Sequence, residues 1–229
     1  MKRDDTTFSW LFLSLFALFL SCLIISNIIA GRLISIFGIV LPSAVILFPI
    51  TYILGDIFTE VYGFRKTRFV IWIGFAANIL MSLVFLAAIA LPAPPFFRDQ
   101  GAYATVLGMT PRIVFASLVA YWAGEFANSI ALSMLKKATG GKHLWTRTIS
   151  STLVGQAFDT VLFIAIGFAG SVPGSVLWQI MLAQYLFKVG YEILLTPVTY
   201  LVVGAVKRKE GMDTFDTGVA YNPFRIGGR

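Results

Sequence analysis

Six apolar runs punctuate the chain, at about 8–30, 39–62, 69–91, 111–135, 149–170 and 176–206. Each matches or exceeds the roughly 20 residues that an α-helix needs to cross about 30 Å of hydrocarbon. In that medium only helices and closed barrels satisfy their own backbone groups. The expected fold is therefore all-α: a polytopic membrane protein with six transmembrane helices over 1–210 and a cytoplasmic tail over 211–229. With 58% hydrophobic and 13% charged residues, the chain sits far from soluble domains, which carry roughly 25% charged residues. A net charge of +7 would suggest nucleic acid as partner in a soluble protein. Here the basic residues form short clusters between the runs, so orientation in a membrane is the better explanation, and lipid rather than nucleic acid is the expected surrounding.

The first run follows Lys2-Arg3-Asp4-Asp5. It is longer than the roughly 7–15 apolar residues of a secretory signal and ends without an Ala-x-Ala site, so it reads as a span. The lone Cys22 excludes an internal disulfide, and Phe19-Leu20-Ser21 before it argues against lipoprotein processing. No Cys/His cluster has metal-ligand spacing, so no cofactor or metal is expected, and His143, isolated among basic residues, reads as a loop residue. With no nucleophile set and no histidine in any run, enzymatic chemistry is not expected.

Lysine and arginine concentrate in alternate connections. Two precede the first run, three (Arg65, Lys66, Arg68) follow the second, four lie between the fourth and fifth, and five are in the tail. Arg32, Arg98 and Arg112 occupy the other side, and Lys188 lies inside the last run. This asymmetry places both termini in the cytoplasm. The stretch from Pro92 to Thr110 becomes an extracytoplasmic loop or lid, and the polar tail after Glu210 is expected to be disordered.

Polar residues inside the runs carry the functional signal, because a carboxylate in hydrocarbon costs roughly 2.5–3.5 kcal/mol on insertion scales and must face protein or water. In Val154-Gly-Gln-Ala-Phe-Asp-Thr-Val, Gln156, Asp159 and Thr160 share one helical face. Glu125, Asn128 and Ser129 repeat that spacing in the fourth run. Asn78 lies in the middle of the third, and Lys188 and Glu192, four apart in the sixth, either neutralise each other or belong to a pathway. The second run contains Pro42 and Pro49, so it is expected to be kinked or partly unwound. Its Asp56 and Glu60 lie toward the cytoplasm, where bridging to Arg65, Lys66 and Arg68 ranks slightly ahead of ligand binding. Gly55-Asp56, Gly124-Glu125 and Gly155-Gln156 form a recurring glycine-then-polar step, although the surrounding sequences do not align.

Several helices thus bring Asn78, Glu125, Asn128, Gln156, Asp159 and Glu192 to one depth, which favours a central site over packing glue. Carboxylates accept paired N–H donors, amides offer both donor and acceptor, and Trp122, Phe158 and Tyr185 supply ring faces. A flat, hydrogen-bonding nucleobase or vitamin heterocycle fits that inventory, whereas a phosphorylated solute would require more positive charge.

Ser26-Asn27, the block Pro49-Ile-Thr-Tyr-Ile-Leu-Gly-Asp-Ile-Phe-Thr-Glu-Val-Tyr-Gly63, Trp72-Ile-Gly74 with Asn78, Gly124-Glu-Phe-Ala-Asn128, and Trp145-Thr-Arg-Thr-Ile-Ser-Ser-Thr152 running into Gly155-Gln-Ala-Phe-Asp159 resemble the queuosine precursor transporter family of bacterial vitamin-uptake transporters. The resemblance covers about Ser26 to Thr217. It implies import of 7-cyano-7-deazaguanine and 7-aminomethyl-7-deazaguanine through a six-helix fold similar to the substrate-binding subunits of energy-coupling-factor transporters, without the ATPase module. A high-affinity subunit that depends on a separate ATPase partner is the alternative, and a homodimer is the assembly to test. On the implied substrate, Glu125 or Asp159 takes the two donors of the guanine-like edge, and Asn128 or Gln156 serves the carbonyl and pyrrole N–H. Glu192 with Lys188 stands second, as ligand or as a proton-responsive pair.

Overall fold

The computed structural model describes residues 8–29, 32–36, 39–108, 111–170 and 173–224. Helix α1 (Trp10–Ile29) leads into an antiparallel hairpin of β1 (Leu33–Ile36) and β2 (Ile39–Pro42), with Leu33 opposite Pro42 and Ile36 opposite Ile39. A 3-10 turn (Ser43–Ile46) follows, then α2 (Phe48–Ile57), which passes directly into a π-helical turn (Phe58–Tyr62). Next come α3 (Phe64–Ala90), a short α4 (Gln100–Leu107), α5 (Pro111–Ala138), α6 (Leu144–Phe168) and α7 (Gly174–Glu210). Among the described residues, α1, α3, α6 and the Leu177–Glu210 part of α7 are long and apolar enough to cross a membrane. Helix α5 reaches 28 residues but carries Glu125, Lys136 and Lys137.

The second run departs from one span. Its first residues form β2 and the 3-10 turn, and regular α-helix begins only at Phe48, with proline in the first turn of α2. Pro49 sits where its missing N–H has no partner to lose and its fixed φ already suits a helix. The prolines therefore mark the joints of an interrupted segment. The stretch 92–110 contains α4, which Gln100 ties back to α3 by donating from Nε2 to the Ile89 carbonyl at 2.8 Å.

Glycine sets the tightest helix pair. A Cβ placed on Gly124 of α5 would lie 2.8 Å from Asp159 Cβ and 3.1 Å from the Gly155 carbonyl oxygen. One placed on Gly155 of α6 would lie 2.7 Å from Asn128 Cβ. Small residues let membrane helices approach until their backbones touch, which replaces the hydrophobic drive that lipid cannot supply. At the other side of the bundle, Phe58 of the π turn is fully buried between Phe12 and Phe19 of α1, with ring centroids at 5.4 and 5.8 Å in edge-on geometry.

The tail after Glu210, expected to be disordered, is instead packed against α3 and α5 as far as Phe224. The Asp216 carboxylate is buried and accepts the Phe64 N–H at 3.0 and 3.1 Å, capping the start of α3, and also accepts from Ser133 Oγ. Arg68 Nη1 donates to the Asn222 and Ala220 carbonyls at 2.8 and 3.3 Å, and Trp72 Nε1 donates to the Pro223 carbonyl at 2.8 Å. Arg68 was expected to bridge Asp56 and Glu60; it holds the tail.

Two substitutions test this packing. Gly155→Leu should destabilise the protein by about 1–3 kcal/mol through overpacking and lower its melting temperature in detergent, while Gly190→Ala, where no atom lies within 4 Å of the added Cβ, should leave it unchanged. Arg68→Ala should release the tail, raising chymotrypsin cleavage at Phe215 and Tyr221 by about tenfold, equivalent to roughly 1.4 kcal/mol, with little change in global melting.

Candidate functional site

The polar residues of four elements converge. On α6, Gln156 is buried beside Tyr52 of α2, while Asp159 accepts a charge-assisted hydrogen bond from Lys188 of α7. Glu125 of α5 lies in the field of Asp159, Glu192 and Lys188. Its carboxylate packs against α2, with Oε2 3.4 Å from where a Cβ on Gly55 would stand. Asn128, one turn along α5, donates from Nδ2 to Asp56 Oδ1 at 3.3 Å. Asp56 and Glu192 are both buried and interact electrostatically with each other. Glu125, Asn128, Gln156, Asp159, Lys188 and Glu192 therefore form one cluster, joined by Tyr52 and Asp56.

The expected pairing of Lys188 with Glu192 is replaced by Lys188 with Asp159, an ion pair whose side chains are 18% and 26% exposed. This leaves Glu192 with both oxygens buried and unpartnered among the described residues. Asp56 Oδ2, Asn128 Oδ1, Gln156 Oε1 and the hydroxyls of Ser129 and Thr160 are in the same condition. The Asn128 amide turns its nitrogen to Asp56 Oδ1, which leaves its own oxygen without a partner. A half-satisfied polar network is costly inside a protein, and here the unsatisfied atoms of the acids and amides are all oxygens.

Four sequence candidates lie elsewhere. Asn78 accepts from Asn27 Nδ2 at 2.8 Å and donates to the Gly74 carbonyl at 3.0 Å, which joins α1 to α3. Trp122 belongs to an aromatic group with Trp72, Phe126 and Phe224, at centroid distances of 6.1, 5.3 and 5.5 Å. Tyr185 donates its hydroxyl to the Leu153 carbonyl at 3.2 Å. Phe158 is 52% exposed and points out of the bundle. A cavity of about 30 Å³ lies beside Asn27, Ser82 and Val114, apart from the carboxylates.

Asp56 and Tyr52 are the cluster members that sequence reasoning did not place there. The recurring glycine-then-polar step was the available signal. Gly55 faces Glu125, Gly124 faces Asp159, and Gly155 faces Asn128, so each glycine opens room for a polar residue of a neighbouring helix.

Glu60, four residues after Asp56, belongs to a second set of charges. Its fully buried carboxylate takes both Arg147 nitrogens, with Nη2 to Oε1 at 3.1 Å and Nη1 on Oε2. Lys207 Nζ lies 2.7 Å and Lys136 Nζ 3.6 Å from Oε1. Lys136 also donates to the Glu60 carbonyl and to Asp213 in the tail, and Lys207 reaches Asp213 at 3.0 Å. Burial alone raises the Asp213 carboxyl, but hydrogen bonds from Lys136 and Lys207 outweigh it and hold the group below the usual carboxylate range. Arg147, Lys207 and Lys136 thus take the place expected for Arg65, Lys66 and Arg68. Lys66 instead lies 5.7–5.9 Å from the Phe8, Phe12 and Tyr62 ring centroids.

Helices long and apolar enough to cross a membrane, with charged and amide side chains gathered between them, are what a membrane transport protein needs, since intramembrane ionisable groups mark solute or ion pathways. The chain belongs to the putative vitamin uptake transporter family, whose profile matches residues 42–202. Membership places it among transporters rather than enzymes. It is 27% identical over 176 residues to a probable queuosine precursor transporter of Bacillus subtilis strain 168, covering 76% of this chain and 77% of that one. It is likewise 27% identical over 172 residues to the queuosine precursor transporter of Escherichia coli K12, covering 74% and 75%. No solved structure matches the chain.

The Lys188–Asp159 pair can be separated from its surroundings by a double-mutant cycle. Removing one partner of a buried pair costs about 3–5 kcal/mol by stranding the other charge, whereas removing both is far milder; partial exposure here brings the single-mutant cost toward the low end. Lys188→Met and Asp159→Leu should each lower the melting temperature more than the double variant does.

Proposed function

We propose that the protein imports queuosine precursors, 7-cyano-7-deazaguanine and 7-aminomethyl-7-deazaguanine, across the bacterial inner membrane, and that the cluster of Glu125, Asn128, Gln156 and Asp159 holds the base. The observation that carries this reading is the surplus of buried acceptors, Asn128 Oδ1 and Gln156 Oε1 together with Asp56 and Glu192 oxygens. A deazaguanine brings N1–H, a 2-amino group and a pyrrole N–H, the donors this site lacks. The printed names of both relatives support the same class of solute.

Because Lys188 already occupies Asp159, Glu125 is the carboxylate for the two parallel donors of the guanine-like edge. Gln156 and Asn128 serve the remaining polar edge. Asp159, fixed by its lysine, sets the charge of the wall. In this reading six segments span the bilayer, the interrupted α2 segment and α5 being two of them, in an arrangement similar to energy-coupling-factor substrate-binding subunits but acting without an ATPase. Both termini lie in the cytoplasm, where the basic loops gather.

Growth rescue of a bacterium unable to synthesise the deazaguanine, supplied with each precursor separately, tests the proposal. Rescue by the wild-type chain is expected. Glu125→Gln, which exchanges an acceptor for a donor, should reduce uptake by about 100-fold, the roughly 3 kcal/mol of one charged hydrogen-bond pair, and Asp159→Asn, which strands the Lys188 charge beside the base, should abolish it, both with the protein still folded in the membrane. Uptake that survives Glu125→Gln removes Glu125 from the site.

A further inference from the structure

The four elements that carry the polar cluster meet a second time, at Glu60. Arg147 lies nine residues before Gln156 on α6, about 14 Å along the axis, and Lys207 lies fifteen residues after Glu192 on α7, about 22 Å. Lys136 lies eight residues beyond Asn128 on α5, about 12 Å. One carboxylate in the π turn thus draws the ends of α5, α6 and α7 onto α2, on the side where the basic loops lie.

Between the cluster and this knot, the buried residues of α6 and α7 include a series of hydroxyls: Thr148, Ser151 and Thr152 on one, Thr196 and Thr199 on the other. Thr148 donates to the Trp145 carbonyl at 3.1 Å and Ser151 to the Thr148 carbonyl at 2.9 Å. Thr196 donates to the Glu192 carbonyl at 2.9 Å and Thr199 to the Leu195 carbonyl at 3.3 Å. These bonds stay within their own helices, so separating the helices here breaks none of them. Opening the Glu60 knot, by contrast, parts charges contributed by four elements.

Resting on the transport reading above, we propose that Glu60 with Arg147, Lys207 and Lys136 forms the gate on the basic-loop side, and that the hydroxyl-lined stretch of α6 and α7 is the route it closes. The π turn Phe58–Tyr62 is the hinge. Its i→i+5 bonding is rare and recurs at functional positions, and return to α register would carry Glu60 off its cations while leaving Asp56 and the cluster in place. Lys207, less deeply buried than Lys136 and Arg147 and shared with Asp213 at the rim, is the first contact to yield.

The test uses the full chain in membrane vesicles of both orientations, with no substrate. Thr152→Cys in a Cys22→Ser background is labelled with a membrane-impermeant maleimide. With the gate intact, labelling is slow from either face. Glu60→Gln should raise the rate about tenfold, and Lys207→Gln about threefold, from the basic-loop face only; a tenfold change corresponds to roughly 1.4 kcal/mol in the closed-to-open balance. Native Cys22, buried in α1, reports on general unfolding when the same gate substitutions are made with Thr152 unaltered, and it should stay unlabelled. The proposal is overturned by labelling that neither substitution changes, by an equal rise at both faces, or by labelling of Cys22. Faster labelling in a protein that fails to take up either deazaguanine supports the gate and rejects the substrate.

Discussion

The fold depends on the burial of one acid. Glu60 has no exposed surface, and an isolated carboxylate at that depth would cost several kcal/mol, so it persists only because a forked guanidinium and two ammonium groups surround it. Arginine suits the position by donating to both oxygens in one plane, and Arg147 is itself held by donation to the Lys142 and Gly141 carbonyls at 2.9 and 3.0 Å. The π turn resolves the conflict between Asp56 and Glu60. Four residues apart on a regular α-helix they would share a face and repel, but the change in register at Phe58 sends one toward Asn128 and the other toward Arg147.

What the sequence revealed divides along the same line between local and long-range physics. The helical spacing of Glu125, Asn128 and Ser129, and of Gln156, Asp159 and Thr160, is a property of one helix each, and it pointed to the polar cluster. The charge partners were not legible, because which cation reaches Glu60 depends on how α6 and α7 dock, and nearness in sequence favoured the wrong three. The tail was misjudged for a related reason. Its composition cannot form a core alone, yet α3 offers the free Phe64 N–H to Asp216 and the Arg68 and Trp72 donors to the carbonyls of Ala220, Asn222 and Pro223. The hairpin was hidden for the opposite reason, since Leu33–Ile36 and Ile39–Pro42 are as apolar as a span.

Two kinds of polar interior thus coexist in one bundle. Around Glu60 the charges are matched with cations and the groups are held from several elements. Around Glu192 and Asp56 acids are buried beside amide oxygens with bonds left unmade. In a low-dielectric interior the first arrangement rigidifies, whereas the second is unfavourable until something supplies donors. Apolar residues at these positions on α2, α5, α6 and α7 would avoid that cost, and the transport proposal accounts for it by an occupant that supplies the missing bonds.

The partner chosen by Lys188 bears on what such an occupant would be. Had Lys188 paired with Glu192 on its own helix, Asp159 would be free and the wall shared by α5 and α6 would carry two acids. By crossing to Asp159, Lys188 neutralises α6 and leaves the acidic character on α2, α5 and α7. On the proposal that the cluster is the solute site, an anionic or phosphorylated solute would meet three acids and one cation already engaged. A neutral or weakly cationic planar solute meets the reverse, with acceptors on three sides and a fixed ion pair on the fourth. The glycine contacts that bring α5 against α6 at Gly124 and Gly155 keep those walls at a set spacing, so the geometry of the cluster rests on backbone proximity as much as on charge.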